Sequence, residues 1–135
     1  MKKHNVLVIP YLPPSELSPN ARVFWFKKYQ AAQKLKEDTF YLAKQAAIPQ
    51  FNTATIQFTF VVPNHRRRDP DNYLAMMKPV VDGLVLADVL PDDNFSVVSY
   101  APVLFQIERK GNSRTIVEIW GKRERDKPAA QDANE

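Results

Sequence analysis

From Ala54 to Val62 apolar and polar side chains alternate, with Ile56, Phe58, Phe60 and Val62 on one side and Thr55, Gln57 and Thr59 on the other. Two-residue alternation marks a strand with one face in a core. This strand stops at Pro63-Asn64, directly ahead of a run of charge, Arg66-Arg67-Arg68-Asp69-Pro70-Asp71-Asn72. The remaining elements arrange themselves around it. Asn5 to Pro10 reads as a short strand, followed by a proline-rich turn. Ser18-Pro19 offers an N-cap and a first helical residue. That predicts a helix to about Ala47, stopped by Pro49, with Phe24, Ala31, Leu35, Leu42 and Ala46 on its buried face. Asp69-Pro70 opens a second helix in the same way, running to about Asp88. Phe95 to Arg109 reads as a long strand bent near Pro102, Lys110-Gly111-Asn112-Ser113 as a hairpin turn, and Thr115 to Trp120 as the last strand. This order predicts an α/β fold: one small domain over residues 1–120, with a mixed β-sheet packed by two main helices. Residues 121–135 carry no apolar pattern and are expected to form a disordered C-terminal tail.

A chain of 135 residues can bury one real core. It contains no cysteine, which excludes disulfides, thiolate metal sites and a cysteine nucleophile and fits a cytoplasmic protein. No stretch approaches the roughly eighteen apolar residues of a membrane helix, so no membrane partner is expected. The formal charge of +4 is modest but unevenly spread. Cations concentrate at 27–36, 65–68 and 109–125, and acids at 69–93. An acidic pocket framed by basic flanks suits a nucleic-acid-cleaving surface, although Lys27, Lys28, Lys34 and Lys36 fit a solvated helix face as well as a DNA contact.

The chemistry lies in the charged run and in its answer, Leu90-Pro91-Asp92-Asp93-Asn94. Clustered carboxylates suit a hard divalent ion such as Mg²⁺. Neighbouring arginines suit a phosphate, which a guanidinium can hold at two oxygens. On a regular helix Asp71, Lys78 and Asp82 fall on one stripe, while Tyr73, Met77, Val80, Val81 and Leu84 form the packing stripe opposite. Pro79 can kink that helix. Each feature also has a plain structural account: Asp69 as a cap, Asp71 as a charge favoured at a helix start, and Lys78–Asp82 as an i, i+4 ion pair. The chain lacks a Walker glycine loop and an EF-hand pattern, and it is too small for a nucleotide-sugar transferase.

Together the segments 66–72, Lys78-Pro79-Val80-Val81-Asp82-Gly83-Leu84 and Val89-Leu90-Pro91-Asp92-Asp93 resemble the RusA family of Holliday-junction resolvases, common in phages and prophages. The front end is similar as well, with Pro13-Pro14-Ser15 and then Leu17-Ser18-Pro19-Asn20-Ala21-Arg22 opening a lysine-rich helix. The resemblance covers roughly residues 5–120. It implies a RusA-like fold and an Mg²⁺-dependent endonuclease, with Mn²⁺ able to substitute. Such an enzyme acts as a homodimer that nicks four-way DNA junctions symmetrically in recombination and repair. It implies Asp69, Asp71 and Asp93 as catalytic metal ligands and Lys78 as the essential lysine, with Asp82 at a further acidic position. The lysine departs from the pattern: in the best-known bacterial member it lies about one turn closer to the second aspartate. Choosing Asp93 over Asp92 rests on the alignment. Arg66, Arg67, Arg68, Lys27 and Lys28 are the expected DNA contacts. Two-fold junction symmetry independently favours a C2 dimer. The rivals are a nuclease of broader branched-DNA specificity and a non-catalytic DNA-binding module with a structural metal site.

Overall fold

The computed structural model describes residues 3–122. Five strands form one mixed sheet: β1 (Lys3–Ile9), β2 (Thr53–Val62), β3 (Val98–Tyr100), β4 (Leu104–Ile107) and β5 (Arg114–Lys122). Two main helices, α1 (Trp25–Gln45) and α3 (Lys78–Leu86), pack together, with the short α2 (Pro70–Ala75) leading into α3. The small α/β domain with a mixed sheet is therefore the observed fold. The strand order is β1-β5-β2-β3, and β4 pairs with β2 on the same flank as β3. β5 runs antiparallel to both β1 and β2, whereas β3 and β4 run parallel to β2.

Ile56, Phe58, Phe60 and Val62 of β2 are buried, as alternation requires, and they join a core with Leu7, Ile9, Val80, Leu84, Val117 and Ile119. Alternation fails in the second half of the strand, where Thr59 and Val61 are buried too. Pro102 does more than bend its strand. It divides the stretch into β3 and β4, since a proline supplies no donor to a ladder. The turn at 110–113 is not a hairpin between paired strands, because β5 lies across β2 from β4. The chain passes over the end of β2 there, where Glu108 N donates to Val62 O at 2.9 Å and Arg114 pairs with Glu108 at 3.1 Å. β5 reaches Lys122, two residues into the stretch expected as tail, and the remainder of that stretch lies outside the described residues.

The first helix starts later than its N-cap signal suggests. Ser18-Pro19-Asn20-Ala21 closes a turn instead, with Ala21 N on Ser18 O at 3.0 Å and proline at the second turn position. It follows a short 3-10 turn at Ser15–Leu17. The buried seam of α1 is Leu35, Thr39 and Ala43, while Leu42 and Ala31 are half-buried and Phe24 and Ala46 exposed. The seam is small because α3 comes close. A Cβ on Gly83 would stand 2.6 Å from Lys36 O and 2.8 Å from Thr39 Cβ. Both helices end on a left-handed residue, Ala47 (φ 53°) and Asp88 (φ 62°). The next amide in each case reaches back five residues, Ile48 N to Ala43 O at 3.2 Å and Val89 N to Leu84 O at 2.9 Å. Tyr11, just past β1, ties the layers together. Its hydroxyl donates to Asp38 Oδ2 at 2.5 Å, and its carbonyl accepts from Thr115 Oγ1 at 2.9 Å.

Candidate active site

The second helix is two helices. α2 ends at Ala75 and α3 begins at Lys78, so Asp71 does not share a continuous stripe with Lys78 and Asp82. Pro79 explains the break: it has no amide to bond back to Ala75 O, and its ring crowds that carbonyl. The packing stripe survives, with Met77, Val80, Val81 and Leu84 buried and Tyr73 half-buried against Phe60 and Phe105.

Asp69 occupies the N-cap position of α2 with Pro70 after it, yet its side chain makes no capping hydrogen bond. Asp69 and Asp71 are exposed, and neither carboxylate enters a hydrogen bond or ion pair among the described residues. Capping therefore does not account for Asp69. The three arginines before it divide. The Arg68 guanidinium bonds Asn64 O at 2.9 Å, Arg66 O at 3.0 Å and Asn64 Oδ1 at 3.1 Å, which folds the loop onto itself. Arg66 and Arg67 point exposed side chains outward. The loop borders a hollow backed by Phe105 and Ile107.

The acids beyond α3 return to its first turn. Lys78 Nζ donates to Asp82 Oδ1 at 2.9 Å and also to Asp93 Oδ2, so one ammonium joins two carboxylates. Its hydrogen bonds to Asp93, then to Asp82, hold the Lys78 ammonium above its ordinary pKa. Lys78 in turn holds the Asp93 carboxyl below the usual carboxylate range. Asp92 is differently employed. Its Oδ1 accepts Asp93 N at 2.7 Å and its Oδ2 accepts Asn94 Nδ2 at 2.9 Å, so both oxygens shape the turn. Asp82, Asp92 and Asp93 line an open hollow with Val85, Leu86 and Lys36 of α1. Lys36 is one of four α1 lysines that the sequence leaves between a solvated face and a DNA contact; the α1–α3 packing brings it beside these acids. Tyr100 carries no such sequence signal and also arrives through packing. It lines a hollow with Lys78 and Met77. Burial pushes its phenol up, Lys78 opposes this, and Asp93 and Asp82 add to it.

The structure thus joins Lys78, Asp82 and Asp93, with Asp92 in the same loop, while Asp69 and Asp71 at the start of α2 share no hydrogen bond or ion pair with them. Lys27 and Lys28 lie on the first turn of α1. Among the described residues no three acidic or histidine side chains converge closely enough to share an ion. Asp69 and Asp71 present uncommitted carboxylate oxygens, the donor type a hard cation takes. No helix among the described residues is long and apolar enough to cross a membrane.

No family model matches the chain. It is 29% identical over 126 residues to an "Uncharacterized protein" of Xylella fastidiosa (strain Temecula1 / ATCC 700964), an alignment that covers 90% of this chain and 79% of that protein.

Proposed function

We propose that the chain is a divalent-metal-dependent endonuclease that cuts branched DNA, with the four-way junction as its substrate and a homodimer as its working form. The observation that carries this reading is the contact between Lys78 and Asp93 across fifteen residues, beside a hollow lined by three aspartates. A structural ion pair needs one acid for one lysine. Here a lysine is held by two, with a third shaping the loop that delivers Asp93.

In this reading Arg66 and Arg67 hold the DNA backbone ahead of α2, and Arg68 keeps their loop in shape. Asp69, Asp71 and Asp93 would hold Mg²⁺ or Mn²⁺ through their carboxylate oxygens. The ion, when bound, supplies Lewis acidity toward the scissile phosphate. Lys78 positions Asp93 and offsets negative charge near the cut. Two sites related by a two-fold axis match the opposed strands of a junction.

The test is nicking of a synthetic four-way junction and of a linear duplex, each with and without Mg²⁺. Paired, metal-dependent nicks in the junction alone support the proposal. Equal cutting of forks and flaps would favour a broader branched-DNA nuclease. Tight binding without any cutting, in Mg²⁺ or Mn²⁺, would overturn the enzymatic reading.

A further inference from the structure

The first turn of α1 exposes three aromatics in a row, Phe24 (72%), Trp25 (77%) and Phe26, with Tyr29 (58%) one turn on. They are ordered against each other. Phe24 and Phe26 stack with ring centroids 5.8 Å apart, and Trp25 meets Phe26 edge-on at 6.4 Å. A contiguous apolar patch of this kind on a surface marks a binding site. Its charge says for what. Around it, between Glu16 and Glu37, the chain carries Arg22, Lys27, Lys28 and Lys36 with no acid among them, while Lys34 is paired with Asp38. Lysine is depleted in protein–protein contacts, whereas aromatic rings set among cations are how unpaired nucleic acid is held. Each base has a π-face to stack, and each phosphate needs a cation.

We propose that this turn is a stacking platform for unpaired nucleobases, from which a single strand runs along α1 into the acidic hollow. Direction follows from helix geometry. Trp25, Tyr29, Ala32 and Lys36 follow one another at spacings of four, three and four, so they fall within a stripe about 60° wide, with Trp25 and Lys36 about 20° apart. Lys36 stands about 16 Å along the axis from Trp25 and borders the hollow with Asp82 and Asp93. The platform and the candidate site therefore occupy the two ends of one stripe. The destination of the strand rests on the nuclease reading; the platform does not.

The experiment uses the full chain in EDTA, so no cutting is involved, and an oligothymidylate as probe. Trp120 is replaced by phenylalanine so that Trp25 is the remaining tryptophan. The expected result is quenching of Trp25 fluorescence on binding, and a loss of affinity between about 5-fold and 150-fold in Trp25→Ala. Tyr41→Ala, on the same helix beyond the stripe, should leave affinity unchanged. Circular dichroism and sedimentation of Trp25→Ala should match the parent, since the side chain is exposed. Absence of quenching, or equal losses from Trp25→Ala and Tyr41→Ala, would overturn the platform. Conversion of a dimer to a monomer by Trp25→Ala, with oligothymidylate affinity retained, would assign the patch to self-association instead. If the parent binds and quenches but never nicks a junction, the platform stands and the nuclease reading fails.

Discussion

Lys78 and Asp93, fifteen residues apart in the chain, are joined by a charged hydrogen bond at the start of α3. Asp92 beside it spends both carboxylate oxygens on the turn. Two adjacent acids that read alike in the sequence therefore do different work. If the proposed nuclease is correct, Asp93→Asn abolishes nicking while junction binding persists. Asp92→Asn is milder, and Lys78→Gln lowers the rate by about 10- to 100-fold by releasing Asp93, as loss of a supporting contact to a metal ligand does. Single-turnover nicking rates in Mg²⁺ decide this; a dead Asp92→Asn beside an active Asp93→Asn would reverse the two roles.

The arginines separate by experiment in the same way. Arg66→Ala and Arg67→Ala should each reduce the slope of log affinity against log salt by about 0.9, one phosphate contact apiece. Arg68→Ala should leave the slope nearly unchanged and instead loosen residues 64–68, read as faster amide exchange there. Equal slope changes from all three would place the Arg68 guanidinium on DNA.

Gly83 is where α1 and α3 touch. Gly83→Ala improves helix propensity but drives a methyl to within 2.6 Å of a backbone carbonyl. Overpacking of that kind costs about 1–3 kcal/mol, more than the propensity gain of about 1 kcal/mol. Urea denaturation should show a net loss of stability, and a gain would mean that the helices can part cheaply.

Ala47 holds a left-handed conformation, with φ of 53°. For an L-residue with a Cβ this costs about 1–2 kcal/mol, and glycine avoids it while giving up about 0.4–1 kcal/mol in the unfolded chain. Ala47→Gly should therefore raise stability by about 0.5–1 kcal/mol, measured as a higher denaturation midpoint with an unchanged slope.

Tyr11 and Asp38 predict pH dependence at both ends of the range. Burial, then the Asp38 carboxylate, raise the Tyr11 phenol above its ordinary 10.0, so its contribution is complete below that pH and lost as pH climbs beyond it. For Asp38 burial pushes upward, but hydrogen bonds from Lys34 and Tyr11 outweigh it and hold the carboxyl below its ordinary 3.8. Its contribution is present above that pH and lost as pH falls below it. Tyr11→Phe should flatten the alkaline fall of Tm and weaken, without removing, the acid one, since Lys34 remains at 2.7 Å.

Much of this was legible before any coordinates. The alternation of β2 and the apolar face of α3 are local signals, and burial followed them. The Lys78–Asp82 pair is a local i, i+4 signal as well, whereas the sequence groups Asp93 with Asp69 and Asp71, and its contact with Lys78 comes from the fold of the 88–94 loop. Other features depend on choices between equal local signals. Ser-Pro opens a helix or a turn equally well, and here the residues after it made a turn. The break between α2 and α3 came from Pro79 acting on the preceding turn, which displaced Asp71 from the expected stripe. Lys36 and Tyr100 reach the site through packing of distant segments, a relation that no periodicity records.

The position of β5 bears on how the chain comes to be folded at all. β5 follows β1 and β2 in the chain yet lies between them, so those two strands have no shared partner until residues 114–122 exist. Its arrival is therefore an insertion. Until then the edge of β2 opposite β3 and β4 is open, and contacts so far apart in sequence close slowly, on the order of milliseconds to seconds. A nascent chain stopped short of Arg114 would expose one edge of a strand rich in phenylalanine and valine to its neighbours, which makes the insertion of β5 the step that protects this protein from aggregation.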